Sequence, residues 1–385
     1  MELGDGLVNY MKILLDGRFY GLENAGLGRY CVNLVRELQN IDKKNQYIIL
    51  LRKKYFNKLK LNENWMQMLA DFGHYSLLEQ IKLPKIISSC SPDVTHFLHF
   101  NVPVFCNKRF VVTIHDILMH KQKGMDATTL PFCTYFLKRL GYKTVFRRAV
   151  IGACRVIVPS SSVKKELVNY YNLDERKVTV IYEGVDQAIL QKEARNKILA
   201  KYNIASDYFI YAGNAYPHKN LSRLIEAIVL FNKRSDKKVV LVIAGSRGIF
   251  SHRLEKSIKN AEAKEYVKLI GCVTDNELGT LYENSVAFVF PSLSEGFGLP
   301  GLEAMAAGTL VLASDISVFR EVYKDSVCYF NPFDFSSIEK AMREVVGMEK
   351  ERRNLAIEYG KKFASGYSWS KMAKETLDIY NNPIV

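Results

Sequence analysis

Short runs rich in Val, Ile, Leu and Phe alternate with longer stretches of helical periodicity along almost the whole chain, and nothing else in the sequence limits its fold so tightly. Continuous apolar runs suit strands covered on both faces, and parallel neighbours need a crossover long enough to hold a helix. The alternation therefore predicts parallel sheets built from strand–helix–strand units. A first series of strands is expected at 11–16 (MKILLD), 47–51, 93–98, 110–114 (FVVTI), 155–158 and 178–181. A second is expected at 208–212 (YFIYA), 239–244 (VVLVIA), 267–270, 286–290 (VAFVF), 309–313 (TLVLA) and 327–330. Between the two series, 186–206 is charged and has little β character, so it reads as a connection between domains. Beyond 333 the pattern is helical to the end, with Trp369 in a Tyr-Ser-Trp-Ser turn before the last helix. The first ten residues read either as a loose extension or as an upstream start.

At 385 residues the chain exceeds what one hydrophobic core usually serves, which agrees with two α/β domains, each doubly wound, facing each other across a ligand-binding cleft. The expected bounds are 1–186 and 187–369. No segment offers the roughly 18 consecutive apolar residues of a spanning helix, and the N-terminus lacks the pattern of a secretory signal, so a cytoplasmic protein is expected. The seven cysteines are scattered without a Cys-x-x-Cys pair, which fits a reduced protein. His96 and His99 lie near Cys90, but a spacing of three along a strand puts the imidazoles on opposite faces, so no metal site is assigned. A net charge of +14 favours anionic partners: nucleic acid, anionic lipid and phosphorylated substrates all qualify. The basic residues are dispersed and no nucleic-acid module signature is present, so nucleic acid is not expected.

In open α/β sheets, ligands bind beyond the carboxyl ends of strands, so chemistry-bearing residues should follow strands directly. Gly17-Arg18 and then Gly26-Leu27-Gly28-Arg29-Tyr30 follow the first strand and open a helix, where glycines let amides approach a phosphate; alone, such glycines read equally well as a plain turn. His115-Asp116 ends the 110–114 strand, where an imidazole can bond a sugar hydroxyl or a phosphate oxygen; the alternative is a helix cap by Asp116 beside an incidental histidine. Gly213-Asn-Ala-Tyr-Pro-His-Lys-Asn220 brings Lys219 to a helix entry as a mobile point charge for a diphosphate, with Asn220 as the expected cap; a solvated lysine is the plainer reading. The strongest cluster runs from Pro291 to Gly308. Pro300 suits a first helical turn and Gly308 a helix stop, which puts Glu295 in the loop and Glu303 on the helix. The amides of Gly296, Phe297, Gly298 and Leu299 then face an anion, while the two carboxylates accept from hydroxyls such as a nucleotide sugar carries.

Together the clusters resemble the retaining glycosyltransferases of family 4, a group with the GT-B fold of two Rossmann-like domains, over essentially the whole chain. The resemblance rests most on the Glu-x7-Glu stretch from Ser294 to Ala304, joined by P-H-K-N at 217–220, the glycine turn before Arg29, T-I-H-D at 113–116, V-P-S-S-S at 158–162 and V-I-Y-E-G-V-D at 180–186. It implies an acceptor-binding N-terminal domain, a nucleotide-sugar-binding C-terminal domain, and a last helix at about 370–385 that packs back onto the first. By position it implies that Glu295 binds donor-sugar hydroxyls with the 296–298 backbone, Glu303 the ribose, and Lys219 the β-phosphate. His115 would contact the sugar or the phosphate, Gly26 and Gly28 would close over the diphosphate, and Val273 would touch the base. Asn214 and His218 stand on the nucleotide side where many members carry arginine, so charge compensation rests more on Lys219, aided by Arg18 or Arg247.

The implied reaction moves a hexose from a nucleotide diphosphate sugar to a hydroxyl of a glycan or lipid-linked acceptor, with retention. No Asp-x-Asp motif follows a strand of the second half, so neither a metal nor any cofactor besides the donor is expected. His99-Phe-Asn-Val-Pro103 and the P-H-K-N loop look like bacterial and archaeal mannosyltransferases of surface polysaccharide, which makes GDP-mannose the first choice of donor and UDP- or dTDP-sugars the alternative. Residues 129–150 interleave Phe, Tyr and Leu with Lys138, Arg139, Lys143, Arg147 and Arg148, either as an amphipathic contact with anionic membrane on its inner face or as a core helix with a solvated side. A GT-B epimerase or phosphorylase and a non-catalytic polyanion binder are the rival readings.

Overall fold

The computed structural model describes residues 10–121, 132–245 and 249–382. The expectation about the N-terminal extension, the start of the 129–150 segment and Arg247 therefore lie outside the described residues. The chain divides into two compact units, one spanning Met1–Ile117, Leu130–Glu183 and Trp369–Val385, the other Leu118–Thr129 and Gly184–Ser368.

The first unit carries β1 (Lys12–Asp16), β2 (Gln46–Leu51), β3 (Trp65–Leu69), β4 (Val94–Phe97), β5 (Phe110–Thr113), β6 (Arg155–Val158) and β7 (Val178–Val180). They form one sheet in the order β3-β2-β1-β4-β5-β6-β7, and every pairing is parallel. The second carries β8 (Tyr208–Ala212), β9 (Val240–Ala244), β10 (Val267–Gly271), β11 (Ala287–Phe290), β12 (Val311–Ser314) and β13 (Cys328–Phe330). These too are all parallel, ordered β10-β9-β8-β11-β12-β13. Each expected strand is present within two residues of its predicted bounds.

β3 was not expected. Its sequence, WMQML, lacks the β-branched run that marks a buried strand, and it lies on the outer edge of its sheet. It is held by parallel pairing to β2 and by the Trp65 ring, which stacks on Tyr47 at 4.3 Å.

Both sheets are wired alike. The chain builds outward from the first strand of each, then crosses to that strand's other side, so the order reverses between β1 and β4 and again between β8 and β11. At such reversals the crossovers on either side diverge to opposite faces and leave room beyond the strand ends, which is where open α/β sheets bind ligands.

Helices bury one stripe each against these sheets. In Ala25–Ile41 the stripe is Tyr30, Leu34, Val35 and Leu38, spaced for a single helical face. Each such side chain withdrawn from water contributes roughly 1.5–3 kcal/mol. The last helix, Trp369–Asn381, belongs to the first unit, where Trp369 meets the Tyr30 ring edge-on at 6.4 Å.

The helix Phe132–Gly152 departs from the single-stripe pattern that the amphipathic reading required. Phe146, Ala149 and Val150 are buried in the core, yet Phe136, Leu137 and Leu140 stand exposed. Its two halves thus present apolar residues to different surroundings. Among the described residues, no helix is long and apolar enough to cross a membrane.

Candidate functional site

The site of the second unit grows from the reversal between β8 and β11, which pair through Phe209 with Ala287 and Ile210 with Phe288. Beyond β8, the segment Pro217–Lys219 makes one 3-10 turn and Asn220 adopts the left-handed conformation, φ 59°. An asparagine tolerates that conformation better than most residues. Asn220 does not cap the following helix with its side chain, as expected from sequence. Instead its Nδ2 donates to the carbonyls of Pro291 (3.1 Å) and Pro332 (2.8 Å). The Leu293 amide donates to the His218 carbonyl at 2.8 Å. These bonds stitch the loop after β8 to the loop after β11, and the consequence is chemical: Lys219 Nζ lies 2.5 Å from Glu295 Oε1.

Both partners of that ion pair are largely enclosed, with 15% and 11% of their side chains exposed, so their charges interact through less water than surface pairs do. Beside them, burial and the Lys219 charge pull His218 down to about 4, which leaves its imidazole neutral near pH 7. His218 therefore cannot replace an arginine as a fixed charge. Asn214 follows β8 half-buried; its carbonyl accepts from the Tyr211 hydroxyl at 2.8 Å, while its Oδ1 is buried with no partner among the described residues.

The loop after β11 leads into the helix Leu299–Ala307. Gly298 precedes it at φ 107° and offers no side-chain cap, Pro300 sits in the first turn, and Gly308 ends the helix at φ 93°. The buried Tyr323 hydroxyl donates to the Gly298 carbonyl, and a Cβ on Gly298 or Gly301 would collide with that hydroxyl. Tyr323 thus holds the carbonyl against the core, and the N-cap residue, a glycine, supplies no side-chain cap to the positive dipole end of the helix. Phe297 packs edge-on against Tyr367 at 5.8 Å and is buried, as is Leu299, so these two contribute peptide groups and not side chains. Gly296 lies with them in the loop, Glu295 likewise, and Glu303 is buried on the helix. Val273 follows β10, the sheet edge two strands from β8, and stands just ahead of the capping box formed by Thr274 and Glu277.

In the first unit, Gly26 and Gly28 lie in the first turn of Ala25–Ile41. A Cβ on Gly28 would run into the Gly21 carbonyl, whereas one on Gly26 would meet nothing within 4 Å. Packing demands a glycine at 28; open space surrounds position 26. His115 follows β5 with both ring nitrogens engaged by its own unit, Nε2 at 3.0 Å from the Leu98 carbonyl and Nδ1 at 3.3 Å from Glu183 Oε1. A carbonyl only accepts, so Nε2 carries a proton and Nδ1 is left facing the carboxyl group. A donor contact through His115 would have to exchange one of these bonds.

Behind His115 a buried chain of polar groups reaches the last helix. The Tyr30 ring meets His115 edge-on at 4.8 Å, and its hydroxyl lies 3.1 Å from Thr113 Oγ1. That oxygen lies 2.8 Å from His96 Nε2, and His96 Nδ1 lies 2.6 Å from the Tyr380 hydroxyl. Burial pulls His96 down to about 3, aided by the proximity of His115, so it works as a neutral connector. Glu183 and Tyr323 were not anticipated as functional. Glu183 lies in the V-I-Y-E-G-V-D stretch at 180–186 with no role implied for it, and no local pattern marks Tyr323.

Arg18 corrects a second expectation. Its Nε donates to Asp16 Oδ1 at 2.7 Å, and its Nη2 to Asp16 Oδ2 at 2.6 Å and Glu79 Oε1 at 2.7 Å, so it is bound inside the unit and not held ready for a phosphate. Burial opposes its charge, but the two carboxylates more than compensate and raise its pKa above the usual arginine value.

Two parallel, Rossmann-like sheets with loops gathered at their order reversals define a protein of the GT-B class. The HepE protein of Anabaena, crystallised with UDP-glucose, shares this fold with a TM-score of 0.75 at 16% identity, covering 97% of this chain and 100% of its own. Residues 25–188 match the family described as Glycosyltransferase Family 4, and residues 174–363 that described as Glycosyl transferases group 1. O-antigen chain mannosyltransferase B of Escherichia coli is 30% identical over 390 residues, covering 96% of this chain and 99% of that protein. O-antigen chain mannosyltransferase RfbU of Salmonella typhimurium is 32% identical over 249 residues, which span 63% of this chain and 66% of RfbU. The chain belongs to the family 4 glycosyltransferases, and it is a transferase.

Proposed function

We propose that the chain moves mannose from GDP-mannose to a hydroxyl of a glycan or lipid-linked acceptor, with retention at the anomeric carbon and without a metal ion. The observation that carries the donor-site reading is the 2.5 Å contact of Lys219 with Glu295 at a strand-order reversal, beside a helix start with no side-chain cap. Mannose is supported by what the two bacterial relatives are called. A UDP- or dTDP-sugar is the alternative, supported by the UDP-glucose bound to HepE.

In this reading the diphosphate lies over the start of Leu299–Ala307, where peptide N–H groups and the helix dipole favour an anion. Lys219 shifts its charge from Glu295 to the β-phosphate, and Glu295 is then left to accept hydrogen bonds from the donor sugar. Glu303 takes the ribose hydroxyls. As the sugar–phosphate bond breaks, negative charge gathers on the departing nucleoside diphosphate, and the pre-aimed lysine and amides stabilise it. The acceptor hydroxyl attacks from the side of the leaving group, and its proton passes to the departing phosphate oxygen. No side-chain nucleophile is required, so Glu295 orients and does not attack. The first unit holds the acceptor. The exposed Phe136, Leu137 and Leu140, next to the exposed Lys138 and Lys143, would rest on anionic lipid at the cytoplasmic face and bring a lipid-linked acceptor near. Sedimentation with anionic vesicles should fall as salt is added, and indifference to lipid charge disposes of that contact.

The decisive test is thermal stabilisation by GDP-mannose, UDP-glucose and dTDP-rhamnose, because a ligand of the native state at a hundred times its Kd contributes about 2.7 kcal/mol. GDP-mannose should raise the melting temperature most, and Glu303→Ala should remove most of that shift. No shift with any of the three, or the same shift in the variant, overturns the site.

A further inference from the structure

Resting on the transferase reading above, we propose that the order reversal of the seven-stranded sheet is an acceptor subsite that takes a neutral pyranose against aromatic rings and turns away phosphorylated or carboxylated sugars. The position is the counterpart of the Lys219 site, since residues following β1 and β4 converge there. Phe19 comes from β1, His99 from β4, and His74 with Tyr75 from the loop that opens the helix Leu77–Cys90. The Phe19 ring lies flat on His74 at 3.8 Å with 9° between their planes. His99 meets Phe19 edge-on at 5.2 Å, and the Tyr75 hydroxyl lies 3.1 Å from His99 Nε2.

Two observations set this cluster apart from ordinary packing. Tyr75 is 64% exposed and yet held at φ 59°, a conformation that a bulky residue adopts only under constraint. The constraint is Glu79, whose Oε2 accepts from the Tyr75 amide at 2.8 Å. Strain maintained to present an exposed ring is the signature of a site more than of a fold. Second, Arg18 and Asn101, which both donate to the same Glu79 carboxylate and are each only 2% exposed, carry a polar atom with no partner among the described residues: Arg18 Nη1 and Asn101 Oδ1. Buried polar atoms nearly always have partners, so a leftover donor and a leftover acceptor on two side chains gathered around one carboxylate point to a polar ligand.

The charge of the cluster selects the ligand. One guanidinium faces two carboxyl groups, Asp16 and Glu79. Burial pushes the Glu79 carboxyl up, but both its oxygens accept N–H bonds, the pattern of a carboxylate, so the floor is net negative. Burial and the Arg18 charge lower His74 to about 4, and burial lowers His99 well below its usual value, so the rings bring no cation to offset it. Such a floor repels a phosphate or a uronate. Aromatic faces carry the negative side of their quadrupole and attract the slightly positive C–H face of a pyranose, while the imidazole edges and the Tyr75 hydroxyl meet its hydroxyls.

The test uses the full chain saturated with GDP and titrated with methyl α-mannoside or mannose 6-phosphate, followed by ligand-observed NMR. The neutral glycoside should bind, and the phosphate ester should bind about tenfold more weakly. Phe19→Ala and Tyr75→Gly should each weaken methyl α-mannoside about fivefold while leaving GDP affinity unchanged. Glycine relieves the left-handed strain at Tyr75, so the Tyr75→Gly variant should melt no lower than wild type, and its loss of binding cannot be blamed on unfolding. Undiminished glycoside binding in both variants, no glycoside binding to wild type, or equal binding of the phosphate ester overturns the subsite. Failure of GDP to bind wild type instead strikes the donor reading, and glycoside binding through Phe19 and Tyr75 is then judged separately.

Discussion

At the order reversal of the six-stranded sheet, a lysine touches one glutamate beside a helix start that carries no side-chain cap. At the matching place in the seven-stranded sheet, an arginine is sealed by two carboxylates under a cluster of aromatic rings. Wiring and strand direction are the same in the two; the accessibility of the cation is not. The Arg18 side chain is fully enclosed and uses its planar fork on Asp16, so exchange for an outside anion would break several bonds at once. Among the described residues Lys219 pairs with one carboxylate, Glu295, and lies over the Phe290 ring; its compact ammonium on a flexible stem can swing to a phosphate while staying near Glu295. One cation organises the fold and the other is available for chemistry. At the two proposed sites, position in the sheet sets where a ligand goes and local charge balance sets which ligand.

The largest effect that could break this contrast is on stability. Arg18→Met leaves two carboxylates buried without their partner and should cost about 3–5 kcal/mol in denaturant unfolding. Lys219→Ala should cost turnover instead, about a hundred- to a thousandfold in kcat, with a melting temperature close to wild type. If Lys219→Ala destabilises as strongly as Arg18→Met, or if Arg18→Met folds normally, the two cations do not differ in kind.

A smaller and subtler effect should follow acidification. The fold holds His96 at about 3 and His74 at about 4 in the first unit, and His218 at about 4 in the second, against an ordinary value near 6.5. Because each folded value lies below the unfolded one, the unfolded chain binds protons more readily through that interval. Their contribution is therefore complete above about pH 6.5 and is lost as pH falls toward 4. For the fully buried His96 the loss by pH 5 should be on the order of 1–2 kcal/mol. Amide exchange compared at pH 7 and pH 5 should show the first unit loosening more than the second. Equal loosening of both units counts against the asymmetry, and His96→Gln, which cannot titrate, should lessen the dependence in the first unit alone, leaving the part that His74 contributes.

The smallest predicted effect refines the donor side of the comparison. Tyr323→Phe removes the hydroxyl that holds the Gly298 carbonyl and should cost about 0.5–1.5 kcal/mol of stability while weakening nucleotide binding. Intact binding with lowered stability would confine Tyr323 to the core.

What could be read from the sequence was what short segments decide for themselves. Apolar runs of strand length, the proline at 300 and the glycine at 308 act through local sterics, and they announced the two strand series and the limits of the Leu299–Ala307 helix. β3 escaped because an edge strand needs apolar residues on fewer sides, and its methionines and glutamine carry no strand signal of their own. Beyond that, tertiary structure decided. Lys219 meets Glu295 across 76 positions and Arg18 meets Glu79 across 61, and nothing in either neighbourhood names the distant partner. In the sequence both Lys219 and Arg18 stand as phosphate ligands, Lys219 as the main one and Arg18 as an aid. Only the packing around them sets how much water each keeps and how many carboxylates each must neutralise, and these two quantities separate a structural cation from a working one.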